Sequence, residues 1–352
     1  MSRRMRFLSA IVALLGLAAA LSGCTPNIGI GQTEQVQAAP ASSDDEVHVV
    51  SAFEAVNGEL PEGIAIDKPG NIYVSVGYPF WFPVDESFGE IWKLSPDGET
   101  TVLHAFPGGP AAAGLAVSPS GMLYFAYPNP EDPNTNGVYR LPAGGGPERL
   151  PGSENIGLAN GLALGKLGDL SVSHSALGAV WRIPSGGTTE NWLQHEWLAG
   201  CADIPGANGV ALWKDNLYAA NTGLGLLLRI PILKDGKAGE PEIVAGDSDC
   251  DTENDELLRM DRIALDAQGN VFAPLVLTHK LVRIDPNDGS HTVLLTDEDG
   301  LFNPASIAFG TGKGDRQYVF LSNFALLPPE PENSLGPGVI KYYVGSAGLP
   351  LP

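Results

Sequence analysis

Four oxygen-bearing side chains stand at one phase of an internal repeat: Glu62, Asn160, Asn208 and Asp261. Each opens a copy of the pattern X-Gly-aliphatic-Ala-aliphatic. The clear copies are EGIAI from Glu62, AGLAV from Ala113, NGLAL from Asn160 and NGVAL from Asn208; DRIAL from Asp261 and ASIAF from Ala305 are degenerate. A lone Asn-Gly marks a hairpin turn. Acidic or amide residues at four of six equivalent positions, with alanine at the other two, point instead to a shared centre. Two carboxylates and two amides aimed into one space form an all-oxygen set. Its like charges are costly unless a cation lies between them. That set suits Ca²⁺, which takes oxygen ligands at roughly 2.3–2.6 Å. Zinc is disfavoured because no Cys or His occupies these positions.

The elements that must position these residues follow from the spacing. The copies are 51, 47, 48, 53 and 44 residues apart, a period that together with β-rich composition predicts a propeller. After each copy come short, often alternating β-rich runs separated by turn residues, giving about four strands per unit. Six such units predict an all-β, six-bladed β-propeller over residues 46–352. The last unit is one strand short, and EVHVVSAF at 46–53 belongs to no unit. That segment is expected to supply the outer strand of the sixth blade, closing the ring and removing a sheet edge. A parallel α/β fold is disfavoured, because no amphipathic helical pattern separates the strands. The first strand of each blade lines the central channel, so the residues just before those strands converge at one mouth. Gly209 then lets its strand start closely packed.

These motifs resemble the SMP-30/gluconolactonase-like family (luciferin-regenerating-enzyme-like) of six-bladed calcium propellers. The family includes sugar lactonases and diisopropyl-fluorophosphatase-type enzymes, and the resemblance covers roughly residues 46–345. It implies that Glu62, Asn160, Asn208 and Asp261 hold a catalytic metal. It also implies that Asp261 is both ligand and candidate base or nucleophile, with metal-bound water as the competing nucleophile. Three departures stand out. Glu62-Gly63 is followed by Ile-Ala rather than Pro-x-Trp, Asn160 by Gly161 rather than Asp-Gly, and Asp261 by Arg262 where Gly is usual. The metal set is expected to survive these changes, but sugar specificity does not follow. The resulting expectation is a calcium-dependent hydrolase acting on a small-molecule lactone or ester. The rival is a non-catalytic binding propeller with a structural metal.

Second strands run back toward the same mouth, and their ends carry Tyr78, Tyr127, His174, Asn221, Thr278, His279 and Asn323. His174 is a candidate proton shuttle, its ordinary pKa lying near 6.5; the alternative is a rim histidine bonded to a loop. The apolar loop YPFWFPV at 78–84 is a candidate pocket wall. GTGKGD at 310–315 lacks phosphate-loop spacing and reads as a turn. No G-x-S-x-G elbow is present. The acidic stretch DSDCDTENDE at 247–256 reads as a solvated face.

The N-terminus has Arg3, Arg4 and Arg6, then an apolar run from Phe7 to Leu21, then Leu21-Ser22-Gly23-Cys24. The run is short for a membrane span, and the register resembles a bacterial lipobox. Residues 1–23 are thus expected to be a lipoprotein signal peptide, with Cys24 lipidated and residues 24–45 a flexible tether. The expected location is outside the cytoplasm, with the lipid as the only membrane contact. Removing the signal deletes three arginines and no acid, taking the formal charge from −21 to −24. A chain this acidic repels phosphate backbones, so nucleic-acid binding is not expected. A monomer is expected. With Cys24 lipidated, Cys201 and Cys250 remain, and an oxidising compartment favours a disulfide between them.

Overall fold

Short alternating runs punctuated by glycine turns commit this chain to antiparallel strands. The computed structural model describes residues 46–80, 88–201, 203–250, 256–326 and 331–352. The expectations placed on residues 1–45, including Cys24, lie outside the described residues. So do residues 81–84 of the apolar loop and 251–255 of the acidic stretch. Among the described residues no helix is long and apolar enough to cross a membrane, and the only helical segments are short 3₁₀ turns.

Six four-stranded antiparallel sheets form a six-bladed β-propeller. Blade 1 comprises Pro61–Ile66, Ile72–Gly77, Phe88–Leu94 and Thr100–Pro107. Blade 2 comprises Leu115–Val117, Leu123–Tyr127, Gly137–Leu141 and Glu148–Arg149. Blade 3 comprises Ala159–Leu164, Leu170–His174, Ala179–Ile183 and Glu190–Gln194. Blade 4 comprises Ala207–Trp213, Asn216–Asn221, Leu226–Pro231 and Glu242–Ala245. Blade 5 comprises Ala264–Leu265, Val271–Leu275, Lys280–Ile284 and His291–Leu295. Blade 6 comprises Pro304–Phe309, Tyr318–Asn323 and Gly338–Tyr343, with His48–Ala52 paired antiparallel along Gly338–Tyr343. The first strand of each blade touches the first strand of the next, and the sixth touches the first.

The core lies between blades. Tyr218, Leu227, Met260, Leu265, Val271 and Leu275 pack blade 4 against blade 5. Ile64, Val74, Val76, Phe320 and Val339 pack blade 6 against blade 1. Each such large buried side chain contributes roughly 1.5–3 kcal/mol.

In blades 1, 3 and 4 the repeated X-Gly pair is not a loop before the strand. It lies within the strand, as a bulge. Pairing with the second strand skips between Pro61 and Ile64, between Ala159 and Leu162, and between Ala207 and Val210. These skips enclose Glu62-Gly63, Asn160-Gly161 and Asn208-Gly209. A bulge re-aims a side chain out of the sheet alternation, which is how the three polar side chains are turned away from the blade faces.

The glycines are required for space. A Cβ built on Gly63 would lie 2.2 Å from the Ala113 carbonyl oxygen, one on Gly114 2.4 Å from that of Asn160, one on Gly161 2.2 Å from that of Asn208, and one on Gly209 2.4 Å from that of Asp261. Each repeat glycine thus makes room for the carbonyl of the next blade's ring residue. Buried hydroxyls hold those carbonyls in place. Ser173 Oγ accepts from Gly161 N–H at 2.7 Å and donates to the Asn208 carbonyl at 2.6 Å. Ser322 Oγ donates to the Glu62 carbonyl at 2.6 Å, and Ser75 Oγ to the Ala113 carbonyl at 3.4 Å.

Candidate functional site

Bulges in blades 1, 3 and 4 supply Glu62, Asn160 and Asn208. Asp261 precedes a first strand in blade 5 that is only two residues long. The Asn208 side chain is close enough to Asp261 to lower the pKa of its carboxyl, and Glu62 lies within the electrostatic reach of Asp261. Asn208 Nδ2 also donates to Thr222 Oγ1 at 3.0 Å, and Thr222 Oγ1 donates to the Met260 carbonyl at 2.7 Å. Asn160 is tied in through Ser175. Its Nδ2 donates to Ser175 Oγ at 3.0 Å, and Ser175 Oγ donates to the carbonyl of Ala207, the neighbour of Asn208, at 2.6 Å.

The residue that sequence reasoning underrated is Arg262. It is buried, and its Nη1 donates to Asn208 Oδ1 at 2.9 Å, while its Nη2 lies 3.9 Å from Glu62 Oε1. Arg262 Nε and Nη2 are buried without hydrogen-bond partners, as are the acceptors Glu62 Oε2 and Asn160 Oδ1. An unpaired buried polar atom costs roughly 1–3 kcal/mol, so four in one ring mark a site kept for something other than stability. The signal was present in the sequence: DRIAL is the one repeat with a charged residue at the glycine position.

Burial dominates the titration of both carboxyls. It pushes Glu62 up from 4.5 to about 8, against the lowering by Arg262 and with a further rise from the Asp261 charge. It pushes Asp261 up from 3.8 to about 6, against the lowering by Arg262 and by the Asn208 hydrogen bond. Between about pH 4.5 and 8 the folded chain therefore holds a proton on Glu62 that the unfolded chain has released. This stabilisation is complete below pH 4.5 and is lost as the pH rises through about 8. Asp261 contributes with the same sign at the acid end of that window. Chelator-treated protein is accordingly expected to show a thermal midpoint that falls as pH rises across this range. Glu62→Gln should flatten the profile; an identical slope in the variant would remove Glu62 as the cause.

The donor set matches a hard divalent cation in kind, since all four ligand candidates offer oxygen and two of those oxygens are unpaired. The space does not match. Arg262 already holds Asn208 Oδ1 and flanks Glu62, so Ca²⁺ and this guanidinium position exclude one another. Among the described residues no cluster of three His, Cys, Asp or Glu is arranged to hold a metal.

His174 ends the second strand of blade 3, opposite Ala159. Its Nδ1 accepts from Leu177 N–H at 3.3 Å, and burial lowers its pKa, so it is a neutral imidazole at the rim. No hydrogen bond joins it to the ring. Asn221, Asn323 and His279 secure loops. Asn221 Nδ2 donates to the Trp197 and Ala199 carbonyls, each at 2.8 Å. Asn323 Oδ1 accepts from Phe302 N–H at 2.8 Å, and His279 Nδ1 from Asn303 N–H at 3.1 Å. Tyr127 stacks on Phe106 with ring centroids 4.5 Å apart, between blades 1 and 2. Cys201 and Cys250 form a disulfide with Cα atoms 5.8 Å apart. It ties the loop entering blade 4 to the loop entering blade 5, the two segments that lead into Asn208 and Asp261. Lys313 and Gly314 of GTGKGD lie in a turn between two strands of blade 6.

No known family profile matches the chain, and no curated protein matches it. Solved structures do. A calcium-binding protein, regucalcin, from Agrobacterium tumefaciens has a TM-score of 0.63 at 17% identity, over 87% of this chain and 96% of that one. The chain has the gluconolactonase–regucalcin propeller fold. A luciferin-regenerating enzyme superposes with a TM-score of 0.61 at 13% identity, covering 86% and 97% of the two chains. A gluconolactonase from Xanthomonas campestris superposes with a TM-score of 0.56 at 14% identity, covering 89% and 99%.

Proposed function

We propose that the ring is a hydrolytic site for small lactones or esters. The observation that carries this reading is a carboxylate and a guanidinium with free donors, contributed by consecutive residues into one polar ring. Asp261 accepts a proton from water as the water oxygen attacks the substrate carbonyl carbon. The unpaired N–H groups of Arg262 stabilise the oxyanion that forms. Collapse of that intermediate expels the alkoxide, which takes the proton back from Asp261. Each well-placed oxyanion donor is worth on the order of 10²–10³ in rate, and a positioned base about 10²–10⁴. The reading is supported by neighbours named gluconolactonase and luciferin-regenerating enzyme. Calcium suits the four ring oxygens in kind, and regucalcin is described as calcium-binding, but calcium would have to displace Arg262 from Asn208. The steps above use only this chain's residues.

The test is a screen of purified protein against lactones, aryl esters and organophosphates, with and without chelator. Turnover of a lactone or carboxylic ester is expected. Folded protein inactive on every member of the panel would instead favour the binding propeller, for which the burial of Glu62 Oε2 and Asn160 Oδ1 already speaks.

We also propose that the domain is displayed outside the cytoplasm on a lipidated Cys24, from the basic, apolar and cysteine segments in register over residues 1–24. Cys24→Ser is expected to release folded protein from membrane fractions; a variant that still partitions with membranes would rule out the anchor.

A further inference from the structure

We propose that Arg262 is a built-in cation: its guanidinium occupies the centre of a latent divalent-metal socket, and shortening it opens that socket to calcium. The chain's own repeats show that Arg262 is out of pattern. Blades 1 to 4 carry glycine at this position, and in each the next blade's carbonyl fills the Cβ space. Blade 5 carries Arg262 there, and its first strand, Ala264–Leu265, is short like that of blade 2, Leu115–Val117. The guanidinium points a positive charge inward, to Asn208 Oδ1 at 2.9 Å and toward Glu62 Oε1 at 3.9 Å.

The guanidinium fills the socket only in part. Glu62 Oε2 and Asn160 Oδ1 are buried acceptors that it leaves unpaired, and Asn160 is only 7% exposed. A planar, single-charge donor meets one or two ligands along its edges. A spherical divalent ion meets six to eight oxygens at once. The unpaired oxygens are those expected where a socket shaped for the second is occupied by the first. Two carboxylates around one guanidinium also leave a net negative charge when both are ionised, which a divalent ion in place of Arg262 would cancel. This inference concerns occupancy of the ring and stands whether or not the site turns over a substrate.

The test is calorimetric titration of CaCl₂ into the metal-free full chain. It compares wild type with Arg262→Gly, which restores the repeat residue, Arg262→Met, which keeps the aliphatic stem without the charge, and Arg262→Lys, which keeps the charge. Wild type and Arg262→Lys are expected to show no binding at millimolar calcium. Arg262→Gly and Arg262→Met are expected to bind with a dissociation constant of about 10⁻⁵–10⁻³ M, and Glu62→Gln added to either should weaken it by at least about tenfold. Thermal unfolding with and without calcium, read on the same proteins, confirms that each is folded. Wild type binding calcium within about threefold of Arg262→Gly would overturn the proposal. Folded Arg262→Gly and Arg262→Met that both ignore calcium would overturn it as well. Because no substrate is involved, a failed activity screen leaves this result unaffected.

Discussion

Gly161→Ala is expected to cost on the order of 3 kcal/mol of stability and to lower the thermal midpoint by roughly 5–10 °C. Gly161 is not among the positive-φ residues, so alanine can adopt its backbone conformation. The cost is steric. The new methyl carbon would stand 2.2 Å from the Asn208 carbonyl oxygen, 3.1 Å from Ser173 Oγ and 3.1 Å from Val210 N. None of these is the free end of a flexible side chain. The Asn208 carbonyl accepts from Ser173 Oγ, which in turn accepts from Gly161 N–H, so moving it breaks two buried hydrogen bonds as well. Large losses from single substitutions come from this kind of overpacking against fixed backbone. Gly146 is the control. Nothing lies within 4 Å of a Cβ built there and its φ is not positive, so Gly146→Ala is expected to be neutral or stabilising by a few tenths of a kcal/mol. Equal midpoints for the two variants would mean that the blades can separate locally, and that close packing at the ring is not what the repeat glycines provide.

The same glycines explain how much of the fold was legible in the sequence. Repeats of EGIAI type at near-constant spacing carry both blade number and the position of the first strand, because blades 1 to 4 face the same steric demand from their neighbours. The ring residues could be named from phase alone for the same reason. What the phase could not convey was local backbone form. Asn208-Gly209 reads as a turn pair before a strand, whereas the chain takes it through the strand as a bulge, and side-chain alternation gives no warning of one extra residue. Rim positions were also misjudged. Asn221 and Asn323 fall where a side chain could reach the mouth, yet both satisfy loop backbone groups, a demand set by loop geometry that no periodic pattern encodes. Arg262 was visible as a broken repeat. Its direction was not, since a long side chain at a ring position has room to point toward solvent or toward the axis. The acceptors on Asn208 and Glu62 decide that it points inward.

Asp261→Asn is expected to lower kcat on the lactone or ester found by screening on the order of 10³-fold, with KM changed only modestly. Asparagine keeps the size of the side chain and one oxygen beside Asn208, so the ring should remain assembled; what is lost is the capacity to accept a proton. Arg262 still offers its donors to the carbonyl oxygen, and this leaves residual catalysis above water. The pH profile separates this role from a merely structural one. With Asp261 titrating at about 6, wild-type kcat/KM should rise through that pH as the carboxylate forms. Asparagine has no such proton, so the residual activity of the variant should be flat there. Asn208→Ala is the complementary probe. It removes the hydrogen bond that lowers the Asp261 pKa and the acceptor that anchors Arg262 Nη1, so the acid limb should move to higher pH while activity falls less than in Asp261→Asn. If Asp261→Asn keeps turnover within about tenfold of wild type, or keeps the acid limb near pH 6, the proton is taken elsewhere. Glu62, the other carboxyl in the ring, then becomes the base to test, and its value of about 8 predicts an acid limb near pH 8 instead.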